Sequence, residues 1–345
     1  MCLVKGPYFG PMRHTIILIL WLLIPRDSLS MMCWNVENFF DWRNDSTTVS
    51  DTEFSSRGER HWTWKRFQAK ANAFAKALFW VEGETGRLPD IVGLEEVENA
   101  FVLRQLLQKT ALRKTDYKYV HYDSPDRRGI DVALLYRSSV LDLIASKPCH
   151  LYETDTVMAT RDILLCVFRR KVPEPPVVPD SSSVIPGLPR NLFAVLVNHH
   201  PSKYGGASES EPRRRIAVDR LRFLADSLAA EGIDRIIAGG DFNDTPDNPV
   251  FLRLEPALKP LHTALSRRGE GTIKYDGKWD LIDHFYASPA IMVGDPSMRI
   301  LRIPFLLTRD TAHSGDKPLR TYTGPRPTGG VSDHLPILLE LAFPP

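Results

Sequence analysis

Short apolar runs alternate with helical patterns along most of this chain. From residue 31 onward, ten stretches have the length and the β-branched or aromatic content of strands. They are MMCWNV (31–36), DIVGLEEV (90–97), DYKYVHY (116–122), IDVALLYR (130–137), DILLCVF (162–168), LFAVLVNHH (192–200), RIIAGGDF (235–242), LIDHFYAS (281–288), MRILRIPFL (298–306) and LPILLEL (335–341). Two segments carry helical period: Phe67, Ala71, Phe74 and Leu78, then Ala217, Leu221, Leu224 and Leu228. AFVLRQLLQKTALR (100–113) reads as a third helix. So many strands exceed one ordinary sheet, and the pattern predicts an α/β fold with two packed central sheets flanked by helices. Residues 172–190, with six prolines and three serines, read as a solvent-exposed hairpin loop within a single domain spanning 31–345.

The first thirty residues differ in kind. Lys5, Arg13 and His14 precede an apolar run from Thr15 to Ile24, and a small-residue stretch ends at Ser28-Leu29-Ser30. This is the layout of a secretory signal peptide over 1–30, with an apolar run too short to span a bilayer comfortably. It predicts a secreted or periplasmic mature chain with no stable membrane span; initiation at Met31 or Met32 would instead give a cytoplasmic protein. The cysteines do not decide between the two. Cys2 lies in the leader, and Cys33, Cys149 and Cys166 are odd in number, without metal-type spacing. Net charge is +2 and falls to zero without the leader, so no global field for nucleic acid is implied. Arg213-Arg214-Arg215 and Arg169-Arg170-Lys171 are local basic runs only.

Polar residues interrupt the apolar pattern at a recurring place, the strand ends. Asn35, Glu95-Glu96, Asn198-His199-His200, Asp241 with Asn243, and Asp333-His334 all stand there, while Asp280 and Asp283 fall within the strand KWDLIDHFYAS. Singly, each reads as a turn former or a cap. Together they are costly unless a cation or a reacting group compensates the clustered carboxylates. Carboxylate and amide oxygens suit a hard cation: Mg²⁺, with Mn²⁺ or Ca²⁺ as substitutes. Histidines and further acids then remain for proton transfer and for holding an anionic transition state. No phosphate-cradling glycine loop is present, since GGDFND lacks its spacing. The set therefore suits hydrolysis of a phosphoester better than use of a nucleotide cofactor.

WNVENFF, IVGLEEVEN, RGIDVALLYR, NHHPSK, GGDFNDTP, LIDHFYAS and SDHLP, in this order from about residue 31 to 343, resemble the endonuclease/exonuclease/phosphatase superfamily. TRDIL, GTIKYDGKWD and PLRTYTGPRPTGGVSDHLP are similar to a bacterial, endonuclease-like branch of it. The resemblance implies a four-layer α/β sandwich with two central, largely antiparallel mixed sheets, the site lying at one end. It implies Mg²⁺-site roles for Asn35 and Glu96, completed by Asp333. His334 would stand at the scissile phosphate, oriented by Asp283. Asp241 and Asn243 would position water and contact phosphoryl oxygens, and His199 would be a general acid. Arg161 is a candidate phosphate contact, Asp131 a structural residue, and His200 stands where the family has a bulky aromatic. Glu95 stands where the family often has Gln. The expected activity is a metal-dependent phosphodiester hydrolase, foremost an endonuclease with nucleic acid as substrate and no protein partner implied. Alternatives are a phosphoesterase for a lipid headgroup or small phosphate ester, sphingomyelinase-like, and an inactive binding member.

Overall fold

A computed structural model of the chain describes residues 28–45, 48–171, 192–203 and 206–343. Twelve strands form two six-stranded sheets. We number them β1 (Ser28–Phe39), β2 (Ile91–Val97), β3 (Tyr117–His121), β4 (Asp131–Arg137), β5 (Leu141–Cys149), β6 (Ile163–Arg170), β7 (Leu192–His199), β8 (Ile236–Asp241), β9 (Lys259–Pro260), β10 (Asp283–Ala287), β11 (Ser297–Ile300) and β12 (Ile337–Ala342). The first sheet runs β11-β12-β1-β2-β4-β3 and the second β9-β10-β8-β7-β6-β5. Each holds one parallel pair at its centre, β1 with β2 and β7 with β8; the other pairings are antiparallel.

A parallel pair needs a crossover, and each crossover here contains a long helix. α1 (Trp64–Thr85) joins β1 to β2, and α3 (Ala207–Ala230) joins β7 to β8. A shorter helix, α2 (Ala100–Lys109), follows β2. It is capped by Asn99, whose side chain accepts the Val102 N–H at 3.0 Å, and it stops at Thr110, after which residues 111–114 tighten into a 3₁₀ turn. Strand alternation sorts the side chains into layers. Met32 and Trp34 pack with Phe67, Phe74 and Leu78 of α1, whereas Met31 and Cys33 enter the layer between the sheets with Phe168, Val197, Phe285 and Leu339. On the far face Leu196 and Ala238 meet Leu221 and Leu224 of α3. The order helix, sheet, sheet, helix agrees with the two packed sheets that the pattern predicts and with the four-layer sandwich that the resemblance implies.

Three details depart from the sequence reading. β5 escapes it because Asp142, Ser146, Lys147 and Pro148 break its apolar pattern; it is an edge strand, where one side meets water and proline is tolerated. The strand expected over 298–306 stops at Ile300, and Pro304 opens a 3₁₀ turn. β1 begins at Ser28, so its first three residues lie on the leader side of the boundary drawn at residue 30, with Leu29 fully buried. The remainder of the leader and residues 172–190 lie outside the described residues, though the strands flanking 172–190 pair antiparallel, Arg169 opposite Leu192. Among the described residues no helix is long and apolar enough to cross a membrane, and Cys33, Cys149 and Cys166 are free and buried.

Candidate active site at the rim of the sandwich

Register explains why residues so distant in sequence meet. In the second sheet His199 pairs with Asp241, and Asp241 pairs with Asp283. In the first sheet Asn35 pairs with Glu95. Each stands two or four residues along its strand from a side chain of the inter-sheet layer: Cys33, Ile91, Val197, Ile237 or Phe285. With period two, all five residues extend that layer at one end of the sandwich. The end is the carboxyl side of both parallel pairs, the usual place for a ligand in an open α/β sheet.

Bulges bring in the remainder. The β2 register shifts between Glu95 and Val97, and Glu96 takes a left-handed backbone with φ 66°. Leu94 and Val97 both face the helices, so two consecutive glutamates turn away from that layer. Glu37 and Asn38 lie in a second irregularity of β1, and Asn243 follows β8; all three have positive φ. Non-glycine residues rarely adopt this conformation, and its concentration at one rim marks a place where backbone strain serves side-chain placement.

The centre is a chain of polar contacts. His334 Nδ1 lies 2.9 Å from Asp283 Oδ2, and its Nε2 lies 3.9 Å from Asp241 Oδ2. Asn35 donates its side-chain N–H to the same Asp241 oxygen at 3.0 Å, and His199 Nε2 is 3.6 Å from it. Asp241 Oδ1 accepts the Asn243 N–H at 2.8 Å, while the Asn243 side chain donates to the His200 carbonyl at 2.9 Å. Glu96 accepts the Asn38 N–H at 2.8 Å on one oxygen; its other oxygen lies 3.3 Å from Arg128 and 4.0 Å from His199 Nε2. Asp333 is held by Arg320 at 3.1 Å, and the same guanidinium grips Glu37 at 2.9 Å.

A supporting network fixes these groups. Ser332 donates to the Asn35 carbonyl at 2.6 Å and accepts the His334 N–H at 2.9 Å; Trp34 Nε1 donates to the His334 carbonyl at 2.9 Å. The buried Lys70 of α1 donates to the Glu37 carbonyl and, at 2.9 Å, to the Thr321 hydroxyl, tying the helix layer to the loop that carries Asp333. From α3, Arg214 reaches Asp244 at 3.0 Å and steadies the segment after Asn243. None of Glu37, Lys70, Arg128 or Arg320 belongs to the strand-end pattern, so that pattern does not reveal them.

Burial and neighbouring charges set protonation. Burial alone would lower the His334 pKa, but Asp283, Asp241 and Asp333 outweigh it and hold the imidazole well above its ordinary value. His199 goes the other way: burial, then Arg161 and Arg128, keep it neutral. Burial and Asp283 raise Asp241 against the opposing pull of His334 and the Asn35 hydrogen bond. Glu96 resists burial because Arg128 and the Asn38 N–H favour its charged form. Glu95 is fully buried, neither oxygen has a partner among the described residues, and burial with Asp283 and Asp241 raises it well above the carboxylate range. It lies over Gly240, at φ 131°, where a Cβ would stand 2.8 Å from Glu95 Oε1 and collide with the Asn198 carbonyl.

The sequence candidates separate accordingly. Asn35, Glu96, His199, Asp241, Asn243, Asp283 and His334 lie in one connected constellation, with Asp333 at its edge through Arg320. Asp280 stands apart, exposed on the hairpin formed by 273–275 and 278–280. Arg161 is a wall residue: it is buried, and its guanidinium donates to Asp126 at 3.1 Å and to the His200 carbonyl at 2.5 Å. Asp131 accepts from Ser124 and pairs with His121 at 3.1 Å, a local brace. His200 buries both ring nitrogens without partners among the described residues and packs on Phe242 at 4.6 Å between centroids, as an aromatic would.

A divalent cation fits this rim. Ligating atoms of Asp241, Asp283 and His334 lie within 4.8 Å of one another, and Glu95, Glu96 and Asp333 add acids nearby. Clustered carboxylate oxygens, with the Asn35 amide beside them, are the donor chemistry of a hard cation, and both Glu95 oxygens are without a partner among the described residues.

Comparisons agree with the geometry. No curated protein matches the chain. An endonuclease/exonuclease/phosphatase family protein from Bacteroides thetaiotaomicron superposes with TM-score 0.55 at 17% identity, covering 92% of this chain and 98% of that one. The human Nocturnin catalytic domain gives 0.53 at 17% identity, covering 92% and 96%. D. rerio TDP2 complexed with a single-strand DNA product gives 0.51 at 15%, covering 91% and 98%. The mannosyl-6-phosphatase of Bacteroides thetaiotaomicron gives 0.53 at 17%, covering 91% and 100%. These likenesses show a shared fold. A family model described as Endonuclease/Exonuclease/phosphatase family matches residues 30–343. With that match spanning every residue of the rim, the chain belongs to the endonuclease/exonuclease/phosphatase family and is a hydrolase of phosphate esters.

Proposed function

We propose that the chain is a Mg²⁺-dependent phosphodiester hydrolase, an endonuclease acting on nucleic acid. The observation that carries this reading is the chain of contacts from Asp283 through His334 to Asp241 and Asn35. Asn35 and Glu96, with Asp333 beside them, would hold the cation. When bound, it would neutralise phosphate oxygens and steady the leaving oxygen. Asp283 keeps the His334 imidazole charged and in place, so that Nε2 can donate to a phosphoryl oxygen as negative charge builds there. Asp241, fixed by Asn35 and by the Asn243 N–H, is the base for an attacking water. His199, kept neutral and 3.6 Å from Asp241, would first take up the proton that Asp241 removes from water and only then hand one to the leaving oxygen.

A nucleic-acid substrate is supported by the likeness to TDP2, solved with a DNA product. Two clefts carry arginine pairs among acids: one of about 430 Å³ with Arg60 and Arg320 beside Glu37 and Glu59, and one of about 560 Å³ with Arg127 and Arg213 beside Glu153. A second reading, a phosphoesterase for a lipid headgroup or small phosphate ester, draws on the near-neutral charge and on the likeness to a mannosyl-6-phosphatase. We also infer export, from the leader pattern of residues 1–30. The test offers plasmid DNA, RNA, abasic duplex, sphingomyelin, mannose 6-phosphate and bis(p-nitrophenyl) phosphate to the purified chain, with Mg²⁺, Mn²⁺ or Ca²⁺. Plasmid nicking that EDTA and His334→Ala both abolish is the expected result. Turnover of the lipid or the sugar phosphate alone would replace the first reading by the second.

A further inference from the structure

The arginines around the rim differ in how they are held. Arg161 and Arg214 are buried within its walls. Arg320 is gripped by two carboxylates. Arg128 is unlike them: its side chain is 45% exposed, and its guanidinium reaches the rim through one long contact, 3.3 Å to Glu96 Oε1. The same oxygen lies 4.0 Å from His199 Nε2, which in turn is 3.6 Å from Asp241. The tip of Arg128 therefore stands beside the groups proposed to act on phosphate.

Its backbone, in contrast, is pinned. The Arg128 N–H donates to Asp126 Oδ1 at 2.9 Å, and Asp126 is anchored by Arg161 at 3.1 Å. Ser124 donates its N–H to Asp131 at 2.9 Å, and Asp131 is braced by His121. Gly129 turns the chain at φ 72°, where a Cβ would come within 2.8 Å of the Thr48 side chain. A fixed loop thus delivers a weakly held guanidinium over the site. Such a fork offers several N–H donors in one plane and matches two oxygens of a phosphate.

Resting on the phosphodiesterase reading above, we propose that Arg128 is the arginine that grips the substrate phosphate, and that it competes with the divalent cation for Glu96. A cation drawing on Glu96 weakens the hold of that carboxylate on Arg128 and frees the guanidinium for phosphate oxygens. A phosphate that attracts Arg128 conversely unmasks Glu96. The two ligands therefore favour each other's binding, and the coupling is reciprocal.

The test measures Mn²⁺ binding to the full chain by calorimetry, with and without inorganic phosphate, for the natural sequence, Arg128→Gln and Arg128→Lys. KM and kcat for bis(p-nitrophenyl) phosphate are measured alongside. Arg128→Gln should bind Mn²⁺ about three- to fivefold more tightly without phosphate, the scale of an exposed ion pair. It should lose the tightening caused by phosphate and raise KM about tenfold or more, as for a lost charge-assisted hydrogen bond, with kcat little changed. Arg128→Lys should keep part of the coupling. Unchanged Mn²⁺ affinity and KM in Arg128→Gln would overturn the proposal, as would weaker Mn²⁺ binding with a lowered melting temperature, the mark of a strut. Absence of turnover by the natural sequence would instead defeat the phosphodiesterase reading, while the Mn²⁺ titrations still decide the competition for Glu96.

Discussion

Asp283 and His334 meet at 2.9 Å in a buried setting where one carboxylate changes what the imidazole can do. His334 keeps its proton well above the ordinary range, so activity that needs imidazolium should persist through neutral pH and fall only at alkaline pH. Asp283→Asn removes the carboxylate charge that most favours that proton. We expect kcat to drop by about 10²- to 10⁴-fold and its alkaline limb to move down toward the ordinary imidazole value of roughly 6.5, read from a pH–rate profile. His200 tests the opposite case. Burial, then Arg161 and Arg214, lower its pKa to about 3, so the folded chain keeps the ring neutral while the unfolded chain protonates it below roughly 6.5. The unfolded state then binds more protons, and stability is lost as pH falls through that window: ~2.7 kcal/mol from this ring at about pH 4.5. His200→Phe should flatten the fall of the urea midpoint between pH 7 and 4.5 without changing turnover at neutral pH. His199, His262 and His284 are buried and shifted the same way, so the variant should lose only the share due to His200; an acid dependence identical to that of the natural sequence would contradict this.

At the scale of elements, β1 is the instructive strand. Its alternation runs back past Met31, since Leu29 is fully buried and Ser30 donates its N–H to Asp90 at 2.9 Å. A chain starting at Met31 loses that burial and removes a partner of a buried carboxylate. It should be less stable than one starting at Ser28 by about 3–5 kcal/mol in denaturant titrations. If a leader is removed, amino-terminal sequencing of exported chain should therefore find Ser28 or an earlier residue first. A mature start at Met31 with undiminished stability would contradict this. The same strand shows what sequence can reveal. Asn35, Asp241 and Asp283 were legible because a polar residue stands where a core strand should continue, and His199 and His334 because they border such positions. Arg320 was legible as a basic residue near the site, whereas Glu37, Lys70 and Arg128 were not, because a bulge in β1, a helix face and a loop deliver them with no period to mark their direction. Arg161 was legible only through the family resemblance, and the fold adds that its guanidinium is tied to Asp126 and the His200 carbonyl. β5 was hidden by the polar outer face that an edge strand is free to have.

For the whole molecule, the rim gathers carboxylates from both sheets, Glu95 and Glu96 from the first and Asp241 and Asp283 from the second. A cation bound between the sheets should stabilise the entire sandwich. At a concentration 100 times its Kd, Mg²⁺ should add about 2.7 kcal/mol, seen as a raised melting temperature that EDTA reverses and Glu96→Ala diminishes. Identical melting curves with Mg²⁺ and with EDTA would count against a cation at this rim. The strand order carries a further consequence. β12 is the last strand in sequence, yet it lies between β11 and β1, Ser28 facing Ala342 across the pairing. His334 immediately precedes it. A polypeptide still lacking its final residues cannot close the first sheet or seat that imidazole, so hydrolytic power should arise only once synthesis has passed residue 342. A chain cut short before β12 should therefore show no phosphate-ester hydrolysis, however much of the rim it already carries.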